Sequence, residues 1–168
     1  MRPVSKRTKV IVLLFLGVMA PAMFLILRTG QHKFSYLPYY GEKEVNAPGD
    51  TTYYQVPPFI FVDAYGDTVT DRSTEGKIIV ADFFFTRCTT ICPKMGIQMQ
   101  QLQLKLNDEA YKDVVFVSHT VDPEHDTPAV LDAYARKLQA DTARWKFLTG
   151  EATEIYRLGN TGYLLSAM

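Results

Sequence analysis

Cys88-Thr89-Thr90-Ile91-Cys92 holds the only two cysteines of a 168-residue chain, set between a near-continuous apolar run, Ile78 to Thr86, and a helix start at Pro93. Thiols are soft ligands and nucleophiles, so a pair at a strand-to-helix turn points to redox or soft-metal chemistry. In a helix-like turn, positions i and i+4 share a face with Cα atoms about 6 Å apart, inside the range a disulfide tolerates. The same pair can close a disulfide or present two thiolates to one ion, and the spacing leaves both open. Free cysteine is also an ordinary small core residue. Against that reading stand the coincidence of both cysteines at one turn and their place at a helix N-terminus, where the thiolate is favoured.

The elements that must position these thiols alternate strand with helix from about Thr52 onward. Phe59 to Val62 reads as a short strand, and Tyr65-Gly66-Asp67 as a turn into a second strand at Thr68 to Thr70. Ile78 to Thr86 is apolar on both faces apart from Asp82, the pattern of a central strand at the core of the sheet. Pro93 suits a first helical position, and Met95, Met99, Leu102 and Leu106 recur on one helical face. Those methionines complete a core stripe, which outweighs a role as copper ligands. Val114 to Ser118 is another strand, Thr127-Pro128 opens a helix carrying Leu131, Tyr134, Ala135 and Leu138, Trp145 to Leu148 is strand-like, and Glu151 to Leu158 is a short helix stopped by Gly159. This order predicts an α/β domain of thioredoxin-like fold over residues 52–168. Three residues separate the thiols, however, rather than the two typical of disulfide oxidoreductases, and this favours metal binding.

The N-terminal part reads differently. Residues 1–9 carry Arg2, Lys6, Arg7 and Lys9 without an acid, and residues 10–27 are almost wholly apolar. A run of that length and polarity predicts one transmembrane helix, an uncleaved signal anchor with its basic flank in the cytoplasm and everything after Arg28 outside. Residues 28–51, with His32, Phe34, Tyr36, Tyr39 and Tyr40, read as a tether. Lys and Arg balance Asp and Glu at 18 each and form no basic patch in the body of the chain, so nucleic acid is excluded as a partner.

The segment Asp82-Phe-Phe-Phe-Thr86-Arg-Cys88-Thr-Thr-Ile-Cys92-Pro93-Lys-Met95, with Val121-Asp122-Pro123-Glu124-His125-Asp126-Thr127-Pro128 and Trp145-Lys-Phe-Leu-Thr-Gly150 after it, resembles the Sco/SenC family. These are membrane-anchored thioredoxin-like proteins that carry copper to cytochrome c oxidase. The resemblance implies that Cys88 and Cys92 bind a copper ion and form a redox-active disulfide. It further implies the copper-bearing subunit of the oxidase as receiver, a thiol reductant as second partner, and a single-pass location in the bacterial inner membrane with the thiol domain on the periplasmic side. Thr89 departs from the family, where proline commonly follows the first motif cysteine. Family members complete the site with a histidine on a later loop, and nothing matches it before Tyr163-Leu-Leu-Ser-Ala-Met168. The expectation is a truncated reading frame, with the C-terminal elements of the thioredoxin-like sheet missing and apolar sheet surface exposed. His119, just past a strand whose C-terminal end lies on the thiol side of a parallel sheet, is the one candidate substitute ligand. His125 and Asp126 read as parts of a polar loop, and Asp122 as a structural or partner-facing residue.

Two thiolates prefer Cu(I), and Arg87, Lys94 and the helix N-terminus are expected to favour them. A disulfide cannot ligate in that way, so thiol redox state would gate loading. The main alternative is a thiol:disulfide reductase that keeps the cysteines of a metal-receiving partner reduced with the same two residues. A peroxide-reducing thiol enzyme finds only Thr86 as a match for its usual companions.

Overall fold

The computed structural model describes residues 6–29, 38–47 and 50–165. The chain divides into two units, residues 1–40 and 41–168. In the first, helix α1 spans Lys6–Thr29 with Pro21 inside it. Among the described residues, no helix is long and apolar enough to cross a membrane. Side chains 10–13, 16, 20 and 26–29, much of the expected anchor, lie outside that description.

The second unit opens with a two-stranded antiparallel sheet, β1 (Lys43–Ala47) against β2 (Asp50–Tyr53). The segment read as a tether is therefore partly a hairpin. Val45 faces Thr51 and Lys43 faces Tyr53 across it, residue types that favour strand pairing. The main sheet adds β3 (Ile60–Asp63), β4 (Thr68–Thr70), β5 (Ile78–Phe84), β6 (Val114–Thr120) and β7 (Trp145–Thr149) in the order β4-β3-β7-β6-β5. Strands β5, β6 and β7 run parallel, and β3 is antiparallel to both of its neighbours. Helices α2 (Cys92–Lys105), α3 (Pro128–Lys137) and α4 (Ala152–Arg157) complete the mixed α/β arrangement.

Strand β5 stands last in the order of the described strands. Among the described residues it pairs only with β6, and Ile78 is 65% exposed. Its two faces are partly covered, Val80 packing against one core cluster and Ile79 and Phe83 against the other. The buried centre belongs to β6 and β7, where Phe116, Val117, Leu148 and Trp145 are almost fully enclosed.

Alternation along β6 divides the core. On one face Phe116 joins Phe84, Cys88, Cys92, Met99, Leu131, Ala135, Trp145 and Phe147. On the other, Val117 joins Phe59, Phe61, Leu148, Ile155 and Leu158. The expected α2 stripe holds in part, with Met99 buried and Leu102 and Leu106 packed against the first cluster. Gly96 lets α3 come close, since a Cβ there would stand 3.0 Å from Leu138 Cδ2. Gly159 does not stop the last helix. The backbone widens into a π-helical turn over Leu158–Gly162, with Leu158 and Gly159 buried, and the Tyr163 N–H donates to the Leu158 carbonyl.

Candidate thiol site

Strand β5 ends at Phe84, the Cys88 N–H donates to the Phe85 carbonyl at 3.1 Å, and Cys92 begins α2. Pro93, which lacks the N–H that a first turn leaves unpaired, starts that helix without loss. Both cysteines are free and buried, Cys88 on the face that packs against α2 and α3. The Cys92 N–H points at Cys88 Sγ at 3.4 Å, and Thr90 Oγ1 lies 3.7 Å from the same sulfur.

This arrangement separates the two acidities. The Cys92 thiol, then the Cys92 and Thr90 backbone N–H groups, stabilise a Cys88 thiolate and lower its pKa to about 6. Cys92 moves the other way, raised by burial and then by the bond it would give up to Cys88. At neutral pH the pair is a thiolate at Cys88 receiving a proton-bearing Cys92. The groups acting on Cys88 are thus its immediate neighbours, whereas the Arg87 guanidinium expected to act there is engaged by Asp122 at 2.6 Å.

Beneath the turn, burial raises Asp82 to about pH 6 against the opposing hydrogen bond from Ser118 Oγ. Ser118 in turn accepts the Trp145 indole N–H at 2.8 Å. Asp82 lines an open apolar groove of about 320 Å³ along α2 together with Ile91, Met95, Met99 and Leu102.

The loop from Val121 to Thr127 lies against the thiol turn. Its Asp126 is fully buried and accepts the Thr86 N–H at 3.0 Å, the hydroxyls of Thr86 and Thr120, and His125 Nδ1 at 2.9 Å. Burial alone would raise its pKa, but these donors outweigh it and hold the carboxyl below the usual range. The sequence placed Asp126 in a polar loop; its grip on Thr86, 40 residues away, is visible only in the fold.

His119 does not reach the thiols. It follows Ser118 in the alternation of β6, so its ring points into the opposite face, between Phe59, Phe61, Phe83 and Tyr163. Neither ring nitrogen has a hydrogen-bond partner, and burial lowers its pKa to about 4. The sequence reading ended the strand at Ser118, whereas β6 runs on through Thr120 and holds His119 within it, on the face away from the thiols. Of the chain's other histidines, His125 is bound to Asp126 and His32 lies outside the described residues.

A family model described as SCO1/SenC matches residues 48–166. The SCO1 protein homolog of Bacillus subtilis (strain 168) is 43% identical over 101 residues, 60% of this chain and 52% of that protein. The chain thus spans about half the length of that relative. Among solved structures, one described as revealing a disulfide switch in BsSco, a member of the Sco family of cytochrome c oxidase assembly proteins, superposes with a TM-score of 0.61 at 39% identity, covering 66% of this chain and 64% of that one. Bradyrhizobium japonicum ScoI with copper bound superposes at 0.57 and 28% identity over 66% of this chain and 68% of that one.

Proposed function

Because the chain belongs to the SCO1/SenC family, matched over residues 48–166, we propose that it is a copper carrier that binds the ion between Cys88 and Cys92 and delivers it to the copper centre of cytochrome c oxidase. The observation that carries this reading is the preset thiol pair, with the Cys92 N–H 3.4 Å from Cys88 Sγ and one thiol already acidic. Two thiolates suit Cu(I), and His119 packs on the opposite face of β6, so the pair by itself favours Cu(I) over Cu(II).

Oxidation of the pair, with Cys88 ionised and Cys92 protonated, forms one S–S bond with release of two electrons and one proton, and the disulfide no longer supplies thiolates. Loading therefore needs a thiol reductant that returns both electrons and the proton. The basic flank and the apolar run over residues 10–27 support a single membrane anchor, with the thiol domain on the periplasmic side of a bacterial inner membrane.

A second reading, reduction of a disulfide in the receiving protein, draws on the same acidity of Cys88, the property of an attacking thiol. Mixing the reduced, Cu(I)-loaded chain with a dithiol peptide, and the copper-free chain with the oxidised peptide, separates the two. Copper passing to the peptide with little disulfide turnover supports the carrier. Rapid disulfide turnover without copper transfer replaces it with the reductase.

A further inference from the structure

Two carboxylates of the loop between β6 and α3 hold the two residues that precede Cys88. Asp122 accepts Arg87 Nε at 3.1 Å and Nη2 at 2.6 Å, and Asp126 accepts both the N–H and the hydroxyl of Thr86. The two contacts are unequal. The Arg87 side chain is 62% exposed, and a solvated ion pair of that kind contributes little. Asp126 is 0% exposed, so its charge survives in the interior only because four donors from Thr86, Thr120 and His125 converge on it.

The consequence falls on the thiols. Thr86 stands between the end of β5 and the turn, and the next backbone bond, from the Cys88 N–H, goes back to Phe85. The path of the chain into Cys88 is therefore fixed from outside the turn, by a residue 40 positions later. Thr120, the last residue of β6, donates to the same carboxylate, and the Val121 N–H donates to the Phe84 carbonyl at 2.8 Å. Strand ends, turn and loop are thus tied at one buried point.

We propose that Asp126 is a positioning residue for the thiol pair, acting through Thr86 to hold Cys88 where it receives the Cys92 N–H and can share an ion with Cys92. The copper side of this role rests on the carrier reading above, whereas the thiol side does not depend on it.

The test uses the full chain with Thr86→Val, which removes one hydroxyl at nearly constant volume, Thr86→Ser, which keeps it, and Asp126→Asn. Circular dichroism and urea unfolding establish that each variant is folded. Thr86→Val and Asp126→Asn are expected to lose about tenfold or more in Cu(I) affinity, the scale for groups that orient metal ligands. Both are also expected to lose most of the preference of iodoacetamide for Cys88 over Cys92, while Thr86→Ser stays close to the parent. A role in stability alone would leave that preference unchanged in folded protein. A folded Thr86→Val that keeps the parental preference overturns the proposal, and this variant decides the matter if Asp126→Asn does not fold. Failure of the parent to bind Cu(I) would instead reject the carrier reading, with the alkylation ratio still judging Asp126.

Discussion

Cys88 and Cys92 are chemically unequal although they share one turn. The Cys92 thiol and N–H both favour a thiolate on Cys88, while Cys92 itself is buried with its proton retained. Alkylation of Cys88 in the reduced protein should accordingly rise with a midpoint near pH 6, and Cys92→Ala should move that midpoint upward by removing the largest contribution. Mass spectrometry of iodoacetamide-treated protein across pH 5 to 9 checks this, and an unmoved midpoint would assign the acidity elsewhere. Because the folded pKa lies below the unfolded value near 9, the stabilisation is fully present above about pH 9 and is lost as pH falls through about 6. The thiols were legible because no other cysteine competes for attention. Asp126 was legible only as a loop residue, since its main partner, Thr86, lies 40 positions away and carries no signal of its own.

At the scale of elements, periodicity placed β3 to β7 and α2 to α4 but not their order in the sheet. A doubly apolar strand such as β5 announces covered faces but not its neighbours, and among the described residues it pairs with β6 alone. The same limit misplaced His119, because a one-residue step along β6 separates the thiol face from the aromatic face. Its ring packs 5.0 Å from Phe83 and 5.4 Å from Phe61, in the manner of a phenylalanine. Its folded pKa of about 4 lies below the usual 6.5, so stability tied to the neutral ring is present above about pH 6.5 and is lost as pH falls through about 4. His119→Phe should remove that loss, raising the urea midpoint at pH 4.5 relative to the parent while leaving Cu(I) binding unchanged. A drop in copper affinity in this folded variant would return His119 to the site. Asp82 titrates in the opposite sense: its stabilisation is complete below about pH 3.8 and is lost as pH rises through about 6. Asp82→Asn should therefore gain stability over the parent at pH 8 and lose that advantage by pH 4, and an advantage independent of pH would contradict the burial argument.

Over the whole molecule, the helix at Lys6–Thr29 and the thiol-bearing unit from Gly41 onward belong to two separate units. The proposed orientation rests on charge asymmetry around the apolar run, since Lys and Arg flank its start and no acid is present there. A reporter fused after residue 51 should be active only when exported, and activity confined to the cytoplasm would reject that orientation. The central claim, that two thiols share one ion, is tested most directly by titrating the reduced full chain with Cu(I) against a chromophoric chelator, beside Cys88→Ser and Cys92→Ser. The account predicts about one Cu(I) per chain, with affinity reduced by about a hundredfold or more in either variant, since each removes half of the soft ligand set. Parental affinity in Cys92→Ser would contradict it.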